Sequence, residues 1–141
     1  MTTVDIAAKL GGLEGLKIAS DLALVGAIEE GLPTSAVDAM VETGTLSARE
    51  MDELVIPRRK LAQRKQRKQR LTPEESDRLA RIARITALAE ETFGDDERAA
   101  HWLRAPNRGL GGAVPLEMLQ TGEGAIVVQQ ALGQIAHGIF A

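Results

Sequence analysis

A chain of 141 residues with 17 Lys and Arg, 20 Asp and Glu and a formal charge of −3 has room for one domain or two small ones. It has no Cys, which excludes a disulfide framework, a thiolate metal site and a thiol nucleophile. Aromatic residues make up 2% with no Tyr, so Ala, Leu, Ile, Val and Met must fill the interior, and that composition favours helices over sheets. No apolar run approaches the roughly 20 residues that cross a bilayer, and no basic segment leads into an apolar one at the start. The expectation is a soluble, cytoplasmic, all-α protein without a signal peptide.

The net charge hides an asymmetry. Between Arg58 and Arg70 lie eight cations (Arg58, Arg59, Lys60, Arg64, Lys65, Arg67, Lys68 and Arg70) and no acid, which leaves −11 for the rest of the chain. A basic block inside an acidic chain points to a localised anionic partner. The bland alternative is a solvated helix face; what precedes the block favours nucleic acid.

Residues 1–19 read as a flexible arm with about one helical turn. Ser20–Glu30 allows a helix capped by Ser20 or Asp21, or a short strand over Ala23–Ile28, since short apolar runs fit both. Gly31, Leu32 and Pro33 end it. Thr34 or Ser35 can cap the next helix, in which Val37, Met40 and Val41 share a face and which Gly44 closes. Ser47 with Glu50 makes a capping box, followed by Met51, Leu54 and Val55 at the same spacing. Pro57 opens a third segment, anchored inward by Leu61.

Ser35–Gly44, Ser47–Val55 and Pro57–Arg70 are therefore two short amphipathic helices and a basic one, joined by tight turns: a helix-turn-helix arrangement within residues 20–70. Arg58, Arg59 and Gln63 lie near the start of the basic helix, where side chains reach base edges and Arg and Gln can pair bidentately with bases. Lys60, Arg64, Lys65, Arg67 and Lys68 suit phosphates. The density of cations leaves both base reading and phosphate gripping open.

Residues 71–141 form the second region. Thr72 caps a long helix with Pro73 at its first position and Glu74, Glu75 and Asp77 at its positive end. Leu79, Ile82, Ile85, Thr86, Leu88 and Ala89 give it an inward stripe; Arg78, Arg81 and Arg84 read as a solvated face. Phe93-Gly94 ends it, and Asp95 or Asp96 caps a helix through Trp102. A Pro106-Asn107-Arg108 turn, a Gly111-Gly112 bend and a short helix from Pro115 follow. The last helix starts at Thr121 and Glu123 and turns Ile126, Val127, Ala131 and Ile135 inward.

No catalytic constellation is present. His101 and His137, the only His, have neither Cys nor HExxH spacing beside them, and Gly109 to Gly112 follows no strand and lacks a phosphate-loop pattern. Glu74-Glu75, Glu90-Glu91 and Asp95-Asp96 are explained by capping or solvation. No metal, no cofactor and no enzymatic activity are expected.

Trp102-Leu103, Pro106-Asn107, Leu110-Gly111-Gly112, Pro115-Leu116, Leu119, Thr121, Gly124 and the terminal Gly138-Ile139-Phe140-Ala141, in that order and spacing, resemble the toxin-binding C-terminal domain of Xre/MbcA/ParS-like antitoxins. Leu71 to Leu79 resembles the middle segment of the same family, and the likeness runs from about Gly31 to the end. The resemblance implies an N-terminal Xre-like helix-turn-helix domain, a small helical toxin-binding domain, and a cognate RES-type toxin that depletes NAD and whose active site the antitoxin covers. It implies toxin binding by Trp102, Asn107, Arg108, Leu110, Gly111, Gly112, Pro115, Leu116 and the tail Gly138, Ile139, Phe140 and Ala141. It also implies operator binding as a homodimer that autoregulates the operon. Trp102 is at once the simplest core residue, packed under the Pro106–Pro115 loop. The alternative from another class is a stand-alone transcriptional regulator whose C-terminal domain only dimerises.

Overall fold

The computed structural model describes residues 3–11 and 21–138, with side chains from residue 6 on. Residues 12–20 of the N-terminal arm and three tail residues of the sequence reading, Ile139, Phe140 and Ala141, lie outside the described residues. The chain divides into two compact units, up to Ala83 and from Arg84 on. Among the described residues all regular structure is helical, apart from one isolated bridge between Asn107 and Ala113.

The first unit holds α1 (Thr3–Lys9), α2 (Asp21–Glu30), α3 (Thr34–Glu42), α4 (Ala48–Leu54), α5 (Arg58–Gln66) and the start of α6 (Pro73–Phe93). Where the N-terminal arm is described, it is more than the flexible segment expected. Ile6, Ala7 and Leu10, spaced to share one helix edge, are buried, and α1 packs on α3. Asp21–Glu30 is helix rather than strand, yet α2 has no fully buried side chain, and Leu22 stands 81% exposed.

The turns are built as their residues dictate. Gly44, at φ 77°, takes the left-handed position after α3. The Ser47 hydroxyl accepts from the Glu50 N–H at 3.1 Å while the Glu50 carboxylate accepts from the Ser47 N–H at 2.9 Å, the reciprocal box that starts α4. Pro57 precedes α5 rather than opening it, and the first N–H, that of Arg58, is satisfied by the Asp52 carboxylate at 2.7 Å.

The basic helix is shorter than the sequence suggests. It stops at Gln66 instead of running to Arg70, because Lys68 turns left-handed at φ 54°. The Gln69 N–H then reaches the Arg64 carbonyl at 2.8 Å and the Lys68 N–H the Lys65 carbonyl at 3.2 Å, which closes the helix as a Schellman motif. Beyond it the chain is stitched to the α2–α3 junction. Leu71 donates to the Leu32 carbonyl at 2.9 Å, Arg70 to the Gly31 carbonyl at 3.1 Å, and the Leu32 N–H to the Ser76 hydroxyl at 2.8 Å. Gly31 is required here: at φ 95°, a Cβ on it would lie 2.2 Å from the Leu71 carbonyl oxygen.

In α6, Leu79, Ile82, Ile85 and Ala89 are buried, matching the predicted stripe, whereas Arg78 is no solvated side chain: it donates to the Val55 carbonyl at 3.0 Å. Arg81 pairs with Asp77 one turn away, and Arg84 is exposed.

The second unit holds the rest of α6, α7 (Asp96–Arg104), two 3-10 helices (Arg108–Leu110 and Pro115–Gln120) and α8 (Gly122–Ala136). Asp95 caps α7 by accepting from the Glu97 N–H at 3.0 Å, and Ala99 and Leu103 point inward. Asn107 caps the first 3-10 helix through the Gly109 N–H at 2.9 Å, and Gly111 and Gly112 turn the chain back at φ 69° and 85°.

The last helix corrects the sequence reading. α8 buries Ala125, Val128 and Leu132, while Ile126 and Val127, expected inward, are 49% and 39% exposed. The cause is Gly124. Its backbone lies so close to the second 3-10 helix that a Cβ there would sit 1.8 Å from the Met118 carbonyl oxygen, which fixes the rotation of α8 with Ala125 rather than Ile126 toward the core.

Candidate interaction surfaces

The basic region is not one uniform stripe. Arg64 is held internally, its guanidinium donating to the two carboxylate oxygens of Glu75 at 2.5 and 3.3 Å and to the Arg70 carbonyl at 3.4 Å. Lys65 reaches Asp38 on α3 at 2.6 Å in a half-exposed pair. Two of the cations assigned to phosphates by sequence thus hold α5 to its neighbours. Arg58, Arg59, Lys60, Gln63, Arg67 and Lys68 are exposed. On a helix with 3.6 residues per turn, Arg59, Gln63 and Gln66 follow one outward line opposite Leu61. A surface of that composition offers bidentate donors along a ridge with cations at its flanks. Sequence reasoning missed Asp38, Asp52 and Glu75 as the acids that orient the ridge; Asp52 and Glu75 flank the basic block in sequence, while Asp38, on α3, carries no such signal.

Glu75 sits at the centre of this arrangement. It is 5% exposed, and its carboxylate also accepts the Thr72 N–H at 2.8 Å while the Thr72 hydroxyl accepts the Glu75 N–H at 3.1 Å. Burial by itself would raise the carboxyl's pKa. The hydrogen bonds from Arg64 and Thr72, with the Arg64 charge, outweigh burial and hold it below the usual carboxylate range.

In the second unit Trp102 is half-buried rather than core. Its ring lies 5.9 Å from that of Phe93, tilted by 48°, and the Arg98 guanidinium stands 5.8 Å from the Phe93 centroid. Phe93, Arg98, His101, Trp102, Pro106 and Arg108 line an open groove of about 600 Å³. Asn107 and Leu110 are half-buried, Gly111 and Gly112 are exposed, and Pro115 and Leu116 are buried. Gly138 follows α8 in a left-handed conformation at φ 71°. The structure thus places Trp102, Asn107 and Arg108 along one groove, and Pro115 and Leu116 on a 3-10 helix that packs against α7 and α8.

Among the described residues no group of three or more His, Asp or Glu is placed to hold a metal ion. No helix among them is long and apolar enough to cross a membrane.

Residues 23–84 match the family model of the antitoxin Xre-like helix-turn-helix domain, and residues 88–138 that of the antitoxin Xre/MbcA/ParS C-terminal toxin-binding domain. The chain is 40% identical over 122 residues to the Antitoxin Xre of Pseudomonas putida, covering 86% of this chain and 76% of that protein. It is 34% identical over 128 residues to the Antitoxin Xre of Yersinia enterocolitica, covering 89% and 86%. The chain belongs to the Xre/MbcA/ParS antitoxin family. A further relative, the Prs ADP-ribosylating antitoxin of a Sphingobium species, is 32% identical over 133 residues, covering 87% of this chain and 84% of its own.

The matched spans divide this antitoxin much as its packing does. The helix-turn-helix match ends at Arg84 and the toxin-binding match begins at Leu88, both inside α6. The sequence reading begins the C-terminal region at Leu71, but residues 71–83 pack with the first unit through Leu32, Arg64 and Val55.

Proposed function

We propose that this antitoxin neutralises a RES-type toxin that consumes NAD, by covering its active site with the second unit, and that it represses its own operon through α5. The observation that carries the reading is the coexistence on one chain of the two matched domains, one of them presenting Arg59, Gln63 and Gln66 on an outward ridge. Toxin contacts are assigned to Trp102, Asn107, Arg108 and the loop Leu110 to Leu116, with the tail Gly138 to Ala141. The chain acts as a stoichiometric inhibitor and not as an enzyme, in the cytoplasm, without a cofactor.

Operator binding is assigned to Arg58, Arg59, Lys60, Gln63, Arg67 and Lys68, with Arg64 and Lys65 orienting the helix. Helix-turn-helix proteins commonly bind as dimers to half-sites one turn apart. The exposed Leu22 and Val25 of α2, a helix with no fully buried side chain among the described residues, support a homodimer through that face.

The name of the Sphingobium relative favours a second reading of the toxin's chemistry. ADP-ribosylation of a protein also consumes NAD, with transfer in place of hydrolysis, so the partner is either an NAD hydrolase or an ADP-ribosyltransferase. Co-expression with the protein encoded by the adjacent reading frame tests the whole. The neighbour alone is expected to stop growth and drain cellular NAD, and this chain to restore both; detection of ADP-ribosylated protein separates the two chemistries. A harmless neighbour, or failure to rescue, leaves a stand-alone regulator. Gel shifts on the upstream operator against shuffled DNA, with salt varied, test repression; equal affinity for both contradicts a specific repressor.

A further inference from the structure

In a chain whose residues are 26% charged, α8 carries a single acid, Glu123, and no Lys or Arg across its fifteen residues. Ala125, Val128 and Leu132 occupy its buried side. On a helix of 3.6 residues per turn the opposite side carries Ile126, Val127, Gln130 and Gln134, with Gly133 at its flank. Among the described residues of the second unit Ile126 and Val127 are the exposed large hydrophobic residues; the face continues through the uncharged amides of Gln130 and Gln134, and its one charge, Glu123, stands a turn before them at the start of the helix. Charge depletion around apolar anchors distinguishes the core of an interface from ordinary surface. Gly133 adds a second observation. A Cβ built on it meets nothing within 4 Å, so nothing among the described residues calls for a glycine that weakens the helix.

We infer that this outward face of α8 is the surface on which the toxin docks, with Ile126 and Val127 inserted into an apolar patch of the partner, Glu123 at the edge of the contact and Gly133 admitting close approach of the partner's backbone. The assignment rests on the antitoxin reading above. It commits to the toxin, rather than to a second copy of this chain, because α8 lies within the span matched to the toxin-binding domain and leads directly into the tail at Gly138.

The test uses the full chain and the purified protein of the adjacent reading frame, with affinity measured by calorimetry and the melting midpoint of each free antitoxin variant recorded. Ile126→Glu combined with Val127→Glu is expected to weaken binding about thirtyfold or more, and Gly133→Gln about tenfold, with no fall in the melting midpoint. Ile126 and Val127 are exposed and a Cβ at Gly133 meets no described atom within 4 Å, so folding does not mask the result. Affinities within about twofold of the unaltered chain overturn the assignment while leaving the antitoxin reading intact. So does unchanged toxin affinity with loss of self-association in sedimentation, which assigns the face to a second copy. If the unaltered chain itself fails to bind the neighbour, the antitoxin reading falls, and this assignment with it.

Discussion

Arg64 on α5 and Glu75 on α6 form a two-pronged ion pair, at 2.5 and 3.3 Å, on which the orientation of the basic helix depends. Glu75 also completes the cap of α6 through the Thr72 N–H, so one buried carboxylate fixes a helix start and anchors a neighbouring helix. Removing one partner of such a pair leaves the other charge uncompensated, which makes the loss larger than the net worth of the pair.

Glu75→Gln is therefore expected to cost roughly 1–3 kcal/mol at neutral pH, read by chemical denaturation. Because the folded-state pKa of Glu75 lies below its ordinary 4.5, its contribution is fully present above that value and is lost as the pH falls through the lower, folded value. The variant should show a flatter acid limb in stability against pH. An acid limb identical to that of the unaltered chain contradicts the role given to Glu75.

The two classes of cation on α5 should separate. Arg64→Gln is expected to lower stability, whereas Arg67→Gln, an exposed position just past the helix, should leave stability unchanged, weaken DNA binding across sequences and reduce the salt slope by about one. Arg59→Gln should weaken operator binding more than binding to shuffled DNA. Parallel melting curves and gel shifts check all three; an Arg64 variant that melts normally removes the anchoring role.

Lys68 ends α5 in a left-handed conformation, which costs an L residue about 1–2 kcal/mol relative to glycine, partly offset by glycine's greater freedom in the unfolded chain. Lys68→Gly should stabilise the protein by up to about 1 kcal/mol. Its loss of a cation should be visible only in DNA affinity, so the two readouts move in opposite directions.

Two glycines of α8 should behave in opposite ways. Gly124→Ala places a methyl 1.8 Å from the Met118 carbonyl oxygen and is expected to destabilise by about 3 kcal/mol. Gly133→Ala meets open space and should stabilise by roughly 0.5–1 kcal/mol. Thermal melts of both variants decide; a neutral Gly124→Ala contradicts the account of how α8 is rotated.

The Thr86 hydroxyl is buried and has no hydrogen-bond partner among the described residues. Replacing an unsatisfied buried hydroxyl by a methyl of similar shape removes a desolvation cost, so Thr86→Val should be neutral or stabilising by about 1 kcal/mol. A clear destabilisation in denaturant would mean that the hydroxyl is satisfied.

Much of the fold is legible in the sequence because caps and periodicity are local. The Ser47–Glu50 box, the Thr72-Pro73 start, the Gly44 stop and the α6 stripe each depend on residues within one or two turns. What the sequence hides is set by contacts between distant segments. The stop of α5 at Gln66 depends on a lysine in a conformation that glycine favours. The anchoring of Arg64 depends on Glu75, eleven residues on, and the placement of Arg78 on the Val55 carbonyl. Sequence alone turns α8 the wrong way because Ile126 and Val127 outweigh Ala125 in apolarity, while the backbone approach at Gly124 that overrides them leaves no periodic signature. The groove residues Trp102, Asn107 and Arg108 come from the resemblance, and the geometry adds what spacing could not: Trp102 pairs with Phe93 at the rim instead of filling the core.

The central claim is direct inhibition of an NAD-consuming partner. Its most direct measurement is the rate of NAD loss catalysed by the purified protein of the adjacent reading frame, titrated with this chain. The account predicts NAD loss that falls to background at a fixed molar ratio of the two proteins. A rate unchanged at excess antitoxin, or a neighbour that consumes no NAD, would contradict it.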